Sequence, residues 1–289
     1  MWTDISVDIF DDRECEVDVD VVFNLFAELE SEFTRFRPDS SLSLLNTDRF
    51  KIVSDRFIEV MHICKQLCQD TLWYFNPLVN LGQIGYAKSF DLKQFEKTNN
   101  MKVNLDFDTI EITGNTIQLR ENQTLDLGGI VKWFAVDLAR KYLNSKWYKN
   151  YIINAGGDIY TAGLSDQGKQ IVVGIDSPFV KWNLTATITV QDKAVATSGT
   201  YKRKWTIDNQ TYNHIVNPLT GENNNEITSI TLIADDCYLA DAYATVCIAM
   251  WLEKALAFLK AQKIEGIIIC SDQKIYVTEW IATYNITIL

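Results

Sequence analysis

The chain has 289 residues, 47% of them hydrophobic, and a formal net charge of −11 from 27 basic and 38 acidic side chains. That length supports one large domain or two small ones around a substantial core. The acidity argues against non-specific binding to nucleic acid or anionic membrane; a phosphate ligand stays compatible where helix N-termini or a bound cation offset the charge.

No apolar run reaches the ~18–20 residues of a membrane span. The start, "MWTDISVDIFDDREC", lacks the basic and apolar regions of a secretory signal, and no lipobox-like sequence precedes Cys15. The expected location is cytoplasmic, unless an exported precursor was trimmed.

In chain order, "DISVDIF" reads as a short strand. Residues 19–36 read as a helix with Val22, Phe26, Leu29 and Phe33 on one face. A second helix is expected over 54–74, opened by the Ser54-Asp55 cap signal. It contains His62, Cys64 and Cys68, which would need a fourth ligand to hold zinc and otherwise read as reduced, half-buried side chains. "TIEITGNTIQLRE" reads as a hairpin turning at Gly114-Asn115. Residues 129–143 form a third helix with Val131, Phe134, Ala135, Leu138 and Tyr142 as its stripe. Strand-like runs follow at 151–154, 158–162, 171–175, 184–190 and 229–234, then a helix over 237–261 and strands at 266–270 and 275–280. This irregular interleaving predicts an α+β fold with a mixed, largely antiparallel sheet and packed helices. No GxGxxG follows an early strand, which disfavours a doubly wound dinucleotide fold. The expected organisation is one domain over 1–289, or two intimately packed subdomains.

Four stretches break the core pattern with glycine, acid, amide and hydroxyl residues. "LDLGGIVKW" (125–133) places two glycines and Lys132 at a helix start, suited to a phosphate or to a plain turn with a solvated lysine. "INAGGDIYTAG" (153–163) joins two strands through Gly156-Gly157, either as a close backbone approach or as a tight turn. "AVATSGTYKRKW" (194–205) and "YNHIVNPLTG" (212–221) bring Ser198, Gly199 and His214 beside polar loops. Ser198 lacks a GxSxG context, so a serine hydrolase has little support. In "LADAYAT" (239–245), Asp241 and Thr245 lie one turn apart and offer two hard oxygens suited to Mg²⁺. The alternative is an acid favoured by the helix dipole and a threonine bonded back to the Asp241 carbonyl.

Jointly and in order, these stretches resemble the FAD:protein FMN transferase family, the ApbE-like flavin transferases. Its "SrFrpdSeisrlN", DLGGIaKG, NAGGD, TSG, HIxDPxTG and TADAxAT segments are similar to "TRFRPDSSLSLLN" (34–46), "DLGGIVKW" (126–133), "NAGGD" (154–158), "ATSGTYKRKW" (196–205), "HIVNPLTG" (214–221) and "LADAYAT". "VGIDSP" (173–178) is similar to the family's "vgIrdP". The resemblance runs from about residue 3 to 250; each motif is weak alone, and six in the family's order are specific.

The resemblance implies an ApbE-like fold and Mg²⁺-dependent transfer of FMN from FAD to a serine or threonine hydroxyl of an acceptor flavoprotein, releasing AMP. A metal bridging two phosphates supplies the charge neutralisation such a cleavage needs. It implies Asp241, Thr245 and the carbonyl of Gly129 as metal ligands, Lys132 near the FAD phosphates, and His214 as proton acceptor or positioner. FAD contacts are implied for Phe75, Asn76 and Tyr86, from "YFNPLVNLGQIGY" (74–86), and for Asp158, Ser198 and Gly199. Three departures stand out: Asn217 for Asp, Leu219 for a frequent Arg, and Trp133 for Gly. They bear on the basicity of His214, the anchoring of its loop and the approach of flavin or peptide. Two other readings use the same residues, FAD hydrolysis to FMN and AMP, and FAD binding without catalysis.

Overall fold

The computed structural model describes residues 4–78, 104–207 and 210–289. Its first elements are β1 (Ile5–Ile9), α1 (Glu16–Phe33), α2 (Ser41–Asp48), β2 (Phe50–Ile52) and α3 (Asp55–Asp70). Next come β3 (Glu111–Thr113), β4 (Thr116–Gln118), α4 (Gly128–Ser145), β5 (Tyr151–Ala155) and β6 (Asp158–Ala162). They are followed by β7 (Ile171–Asp176), β8 (Leu184–Val190), β9 (Lys193–Gly199), β10 (Lys204–Ile207) and β11 (Gln210–Asn213). The chain closes with β12 (Ile227–Ala234), α5 (Cys237–Ala249), α6 (Leu252–Gln262), β13 (Glu265–Cys270), β14 (Ile275–Val277) and β15 (Thr287–Ile288). The fold is α+β, and every strand pairing is antiparallel among the described residues.

Two compact units emerge: Met1–Ala27, Lys132–Tyr201 and Asn225–Leu289 form the first, Glu28–Val131 and Lys202–Asn224 the second. The first unit is built on a seven-stranded sheet of order β1-β5-β6-β9-β12-β13-β14. Strand β12 is buried along its whole length, so both faces of the sheet are covered. One face packs on the three-stranded sheet β15-β8-β7 through Val195, Ile233, Ile267 and Ile269 against Ile171, Val173 and Ile188. The other face carries α5, which packs on β9 and β12. Alternation decides which residues meet that helix: Ala194, Ala196 and Ser198 of β9 share one side, and their small side chains let it approach closely.

In the second unit, α3 follows its cap signal closely. Ser54 Oγ accepts the Phe57 N–H at 3.1 Å, and Phe57, Val60, Met61, Cys64, Leu67 and Cys68 form the buried face. The helix ends at Asp70, earlier than the expected 74. His62 is exposed on the opposite side from Cys64 and Cys68, which removes the zinc alternative, and all six cysteines are free thiols. The helix expected over 237–261 is two helices, because Met250 and Trp251 adopt extended backbone. The Leu252 N–H turns to the Glu226 carboxylate at 2.8 Å and begins α6 there. Strand β9 and the β10-β11 hairpin were not anticipated; small and polar residues hid their alternation. Among the described residues no helix is long and apolar enough to cross a membrane.

Candidate active site

The first unit gathers five of the expected residues on the α5 side of its sheet. The β5-β6 hairpin turns on Gly156 and Gly157, with φ of 62° and 100°, a conformation that glycine adopts without strain. The Asn154 side chain accepts the Gly157 N–H at 3.0 Å and fixes the turn. "NAGGD" is therefore a tight turn, and it delivers Asp158 to the first position of β6. Asp158 pairs in register with Ala196, two residues from Ser198, so both polar side chains share the face below α5.

Asp158 is 0% exposed and Asp241 9% exposed. Lys132, in the second turn of α4, places Nζ 3.0 Å from Asp158 Oδ1, and Asp158 Oδ2 has no hydrogen-bond partner among the described residues. Burial pushes the Asp158 carboxyl up to about 8, with the charge of Asp241 adding to the effect and Lys132 opposing it. Asp241 is raised as well, by burial, against the pull of Lys132. Burial on its own would weaken the Lys132 ammonium, but Asp158 and Asp241 outweigh it and hold the lysine above its ordinary value. Lys132 thus serves as a fixed cation and cannot act as a base near neutral pH.

Asp241 lies beyond the first turn of α5, so the dipole explanation for an acid at that position falls away. The Thr245 hydroxyl pairs with Ser198 Oγ at 2.9 Å rather than turning back on its own helix. Gly199 follows in β9, where a Cβ would come within 2.6 Å of the Tyr201 ring, so packing accounts for that glycine. Trp133 is 1% exposed and packs on Tyr238 of α5 with ring centroids 5.5 Å apart. It is a core residue.

Once both are ionised, Asp158 and Asp241 set two carboxylates against one ammonium, a deficit of positive charge that a divalent cation would meet, and a carboxylate–hydroxyl pair one turn apart is a hard-oxygen donor set suited to Mg²⁺.

Phe75, Asn76, Gly129 and His214 belong to the second unit. Gly129 is exposed in the first turn of α4, where a Cβ would meet nothing within 4 Å. Neither packing nor a positive φ requires glycine there, and its absence of side chain leaves the backbone open to a ligand. The turn before it is tightly held: the Asp126 carboxylate accepts the Gly128 N–H at 3.0 Å and pairs with Arg35 at 3.1 Å. Asn46 binds both the N–H and the carbonyl of Leu125. Arg35 and Asn46 come from the "TRFRPDSSLSLLN" stretch, so that motif braces "DLGG".

Asn76 uses its amide within the fold, donating to the Leu105 carbonyl at 2.9 Å and accepting the Leu78 N–H at 3.0 Å. It lines a cavity of about 210 Å³ with Trp73, Leu105, Asp106, Pro218 and Leu219. Phe75 is half-buried, its N–H held by Thr71 Oγ1, and Tyr86 lies outside the described residues. His214 is half-buried just after β11, in a loop anchored by Asn213, Asn223 and Asn217. Asn217 Oδ1 accepts the Leu219 N–H at 2.9 Å, a turn bond that an aspartate carboxylate would make in the same way, so the loop keeps its anchor despite the substitution.

The ApbE family model matches residues 1–268. The chain belongs to the ApbE family. A FAD:protein FMN transferase of Vibrio cholerae is 29% identical over 272 residues, covering 90% of this chain and 80% of that protein. One from Klebsiella pneumoniae is 27% identical over 270 residues, covering 88% and 82%. In fold, the chain is similar to the ApbE protein of Thermotoga maritima, with a TM-score of 0.84 at 21% identity over 97% of this chain and 94% of that one. It is likewise similar to the flavin transferase ApbE of Vibrio cholerae, with a TM-score of 0.80 at 24% identity over 98% and 96%.

Sequence reasoning missed Arg35, Asn46, Asp137 and Arg140. Arg35 and Asn46 stood inside a quoted motif, and Asp137 interrupts the apolar run of α4; the groups that they bind, Asp126, Leu125 and Cys237, lie 79 or more residues away.

Proposed function

We propose that the protein is an FAD:protein FMN transferase, moving FMN from FAD to a serine or threonine hydroxyl of an acceptor flavoprotein and releasing AMP. The observation that carries this reading is the buried charge arrangement of Asp158, Asp241 and Lys132 beside the Ser198–Thr245 hydroxyl pair, in a chain of the ApbE family. Asp241 and Thr245 would hold Mg²⁺, which when bound neutralises the diphosphate.

The acceptor oxygen forms a bond to the FMN phosphorus, the bridging P–O bond breaks, and AMP leaves with the electron pair. Lys132 contributes a persistent positive charge for the phosphates, and Asp158 keeps that ammonium oriented. Ser198 orients the Thr245 hydroxyl through their shared hydrogen bond. His214 takes or positions the acceptor proton, and Phe75 and Asn76 contact FAD.

Incubation with FAD, Mg²⁺ and a candidate acceptor should give covalent in-gel flavin fluorescence and an FMN mass increment on a Ser or Thr. AMP release without an acceptor would favour FAD hydrolysis. Retained FAD binding with no turnover on any cognate acceptor would leave a binding protein.

A further inference from the structure

Helix α5 begins without a working cap of its own. Asp236 occupies the N-cap position, yet its side chain makes no capping bond, because it pairs with Arg140 of α4. The first amides of a helix have no acceptor within the helix, and burial makes such orphans costly. Asp137, on α4 and 6% exposed, supplies the acceptors. Its Oδ1 takes the Cys237 N–H and its Oδ2 the Tyr238 N–H, each at 3.0 Å. Arg140 also donates to the Asp235 carbonyl at 2.8 Å. One turn of α4 therefore grips residues 235–238, directly ahead of Asp241, while Lys132 of the same helix reaches Asp158.

We propose that Asp137, supported by Arg140, is a positioning residue for the cation site: by clamping the first turn of α5 it sets where Asp241 and Thr245 present their oxygens. This rests on the reading of those two residues as Mg²⁺ ligands. One carboxylate binding two successive amides resists both sliding and rotation of the helix. A rotation of about 20° would carry a side-chain tip ~6 Å from the axis through about 2 Å. Metal–ligand distances tolerate only about 0.2 Å, so the clamp matters more to the site than to the fold.

The test compares full-length wild type with D137A, D137N and D241A. Mg²⁺ is titrated in the presence of FAD against Mn²⁺, whose paramagnetic resonance reports the occupied site. D137A is expected to raise the half-saturating Mg²⁺ concentration about 10- to 100-fold, and D137N by less, since one oxygen acceptor remains. FAD affinity, followed by flavin fluorescence, should stay within about twofold. Amide exchange should accelerate across 237–245 and hold in β5 and β6. Should D137A not fold, D137N carries the same measurements. A cap that serves stability alone would lower the unfolding midpoint and leave Mg²⁺ half-saturation unchanged; that result overturns the proposal, as does wild-type exchange across 237–245. D241A separates the layers: lost Mg²⁺ binding supports the site, and unchanged binding removes both the site and the positioning role built on it.

Discussion

Helices α3 and α5 both interrupt an apolar pattern with polar residues, and the two resolve it in opposite ways. In α3 the interruptions fall on one side: His62, Lys65 and Gln66 are exposed while Cys64, Leu67 and Cys68 are buried. Polar side chains there are solvated, and the helix is amphipathic. In α5 ten of thirteen residues are buried, and these lie all round the helix, Asp241 among them. A carboxylate in that position has no face to solvate it and must meet a partner or a ligand. The histidine and cysteines of α3 read as ordinary reduced side chains unless a fourth ligand completed a zinc site, and the acid and threonine of α5 read either as hard-oxygen donors or as dipole chemistry with a back-bonded threonine. The exposure of His62 bears out the first reading in α3, and the position of Asp241 beyond the first turn removes the dipole in α5.

The largest expected effect tests this contrast directly. Asp241→Asn should lower FMN transfer about 10³-fold, as loss of several kcal/mol of transition-state charge stabilisation would, while His62→Ala stays within about twofold. Comparable rates for the two variants would erase the distinction between the helices. A second expectation concerns pH in the absence of divalent cation. Asp158 keeps its proton up to about 8 in the folded state, while an unfolded carboxyl loses it near pH 4. The folded chain therefore binds the extra proton across that window, and this stabilisation is full below about pH 4 and lost as pH rises towards 8. Denaturant midpoints should show the decline in wild type and a flatter profile in Asp158→Asn, and saturating Mg²⁺ should reduce it.

Thr245→Val comes next. It leaves Ser198 Oγ without its partner and should cost about 1–3 kcal/mol in denaturant unfolding. It should also raise the Mg²⁺ concentration needed for half-maximal transfer; an unchanged Mg²⁺ requirement would remove Thr245 from the ligand set. The smallest effect belongs to α3, where Ser54→Ala removes the cap on Phe57 and should cost about 1 kcal/mol with transfer unchanged.

Much of this protein could be read along the chain. The apolar stripe Val22, Phe26, Leu29 and Phe33 announced α1, the Ser54-Asp55 signal announced α3, and Gly114-Asn115 announced a hairpin, because helix periodicity, capping and turn conformation are properties of neighbouring residues. The ordered motifs identified the residues to watch, Lys132, Asp158, Ser198, Asp241 and Thr245 among them. Other features needed the folded chain. Strand β9 is central to the main sheet, yet its small residues are explained only by the helix packed upon them. The break at Met250–Trp251 has no glycine or proline to mark it and depends on Glu226, more than twenty residues earlier. Asp137 is an unremarkable acid until its carboxylate meets amides a hundred residues later. Periodicity and motif spacing thus determined the elements and the polar residues within them. Tertiary structure decided which of those residues lie out of reach of water, since burial and pairing depend on contacts between segments far apart in the chain.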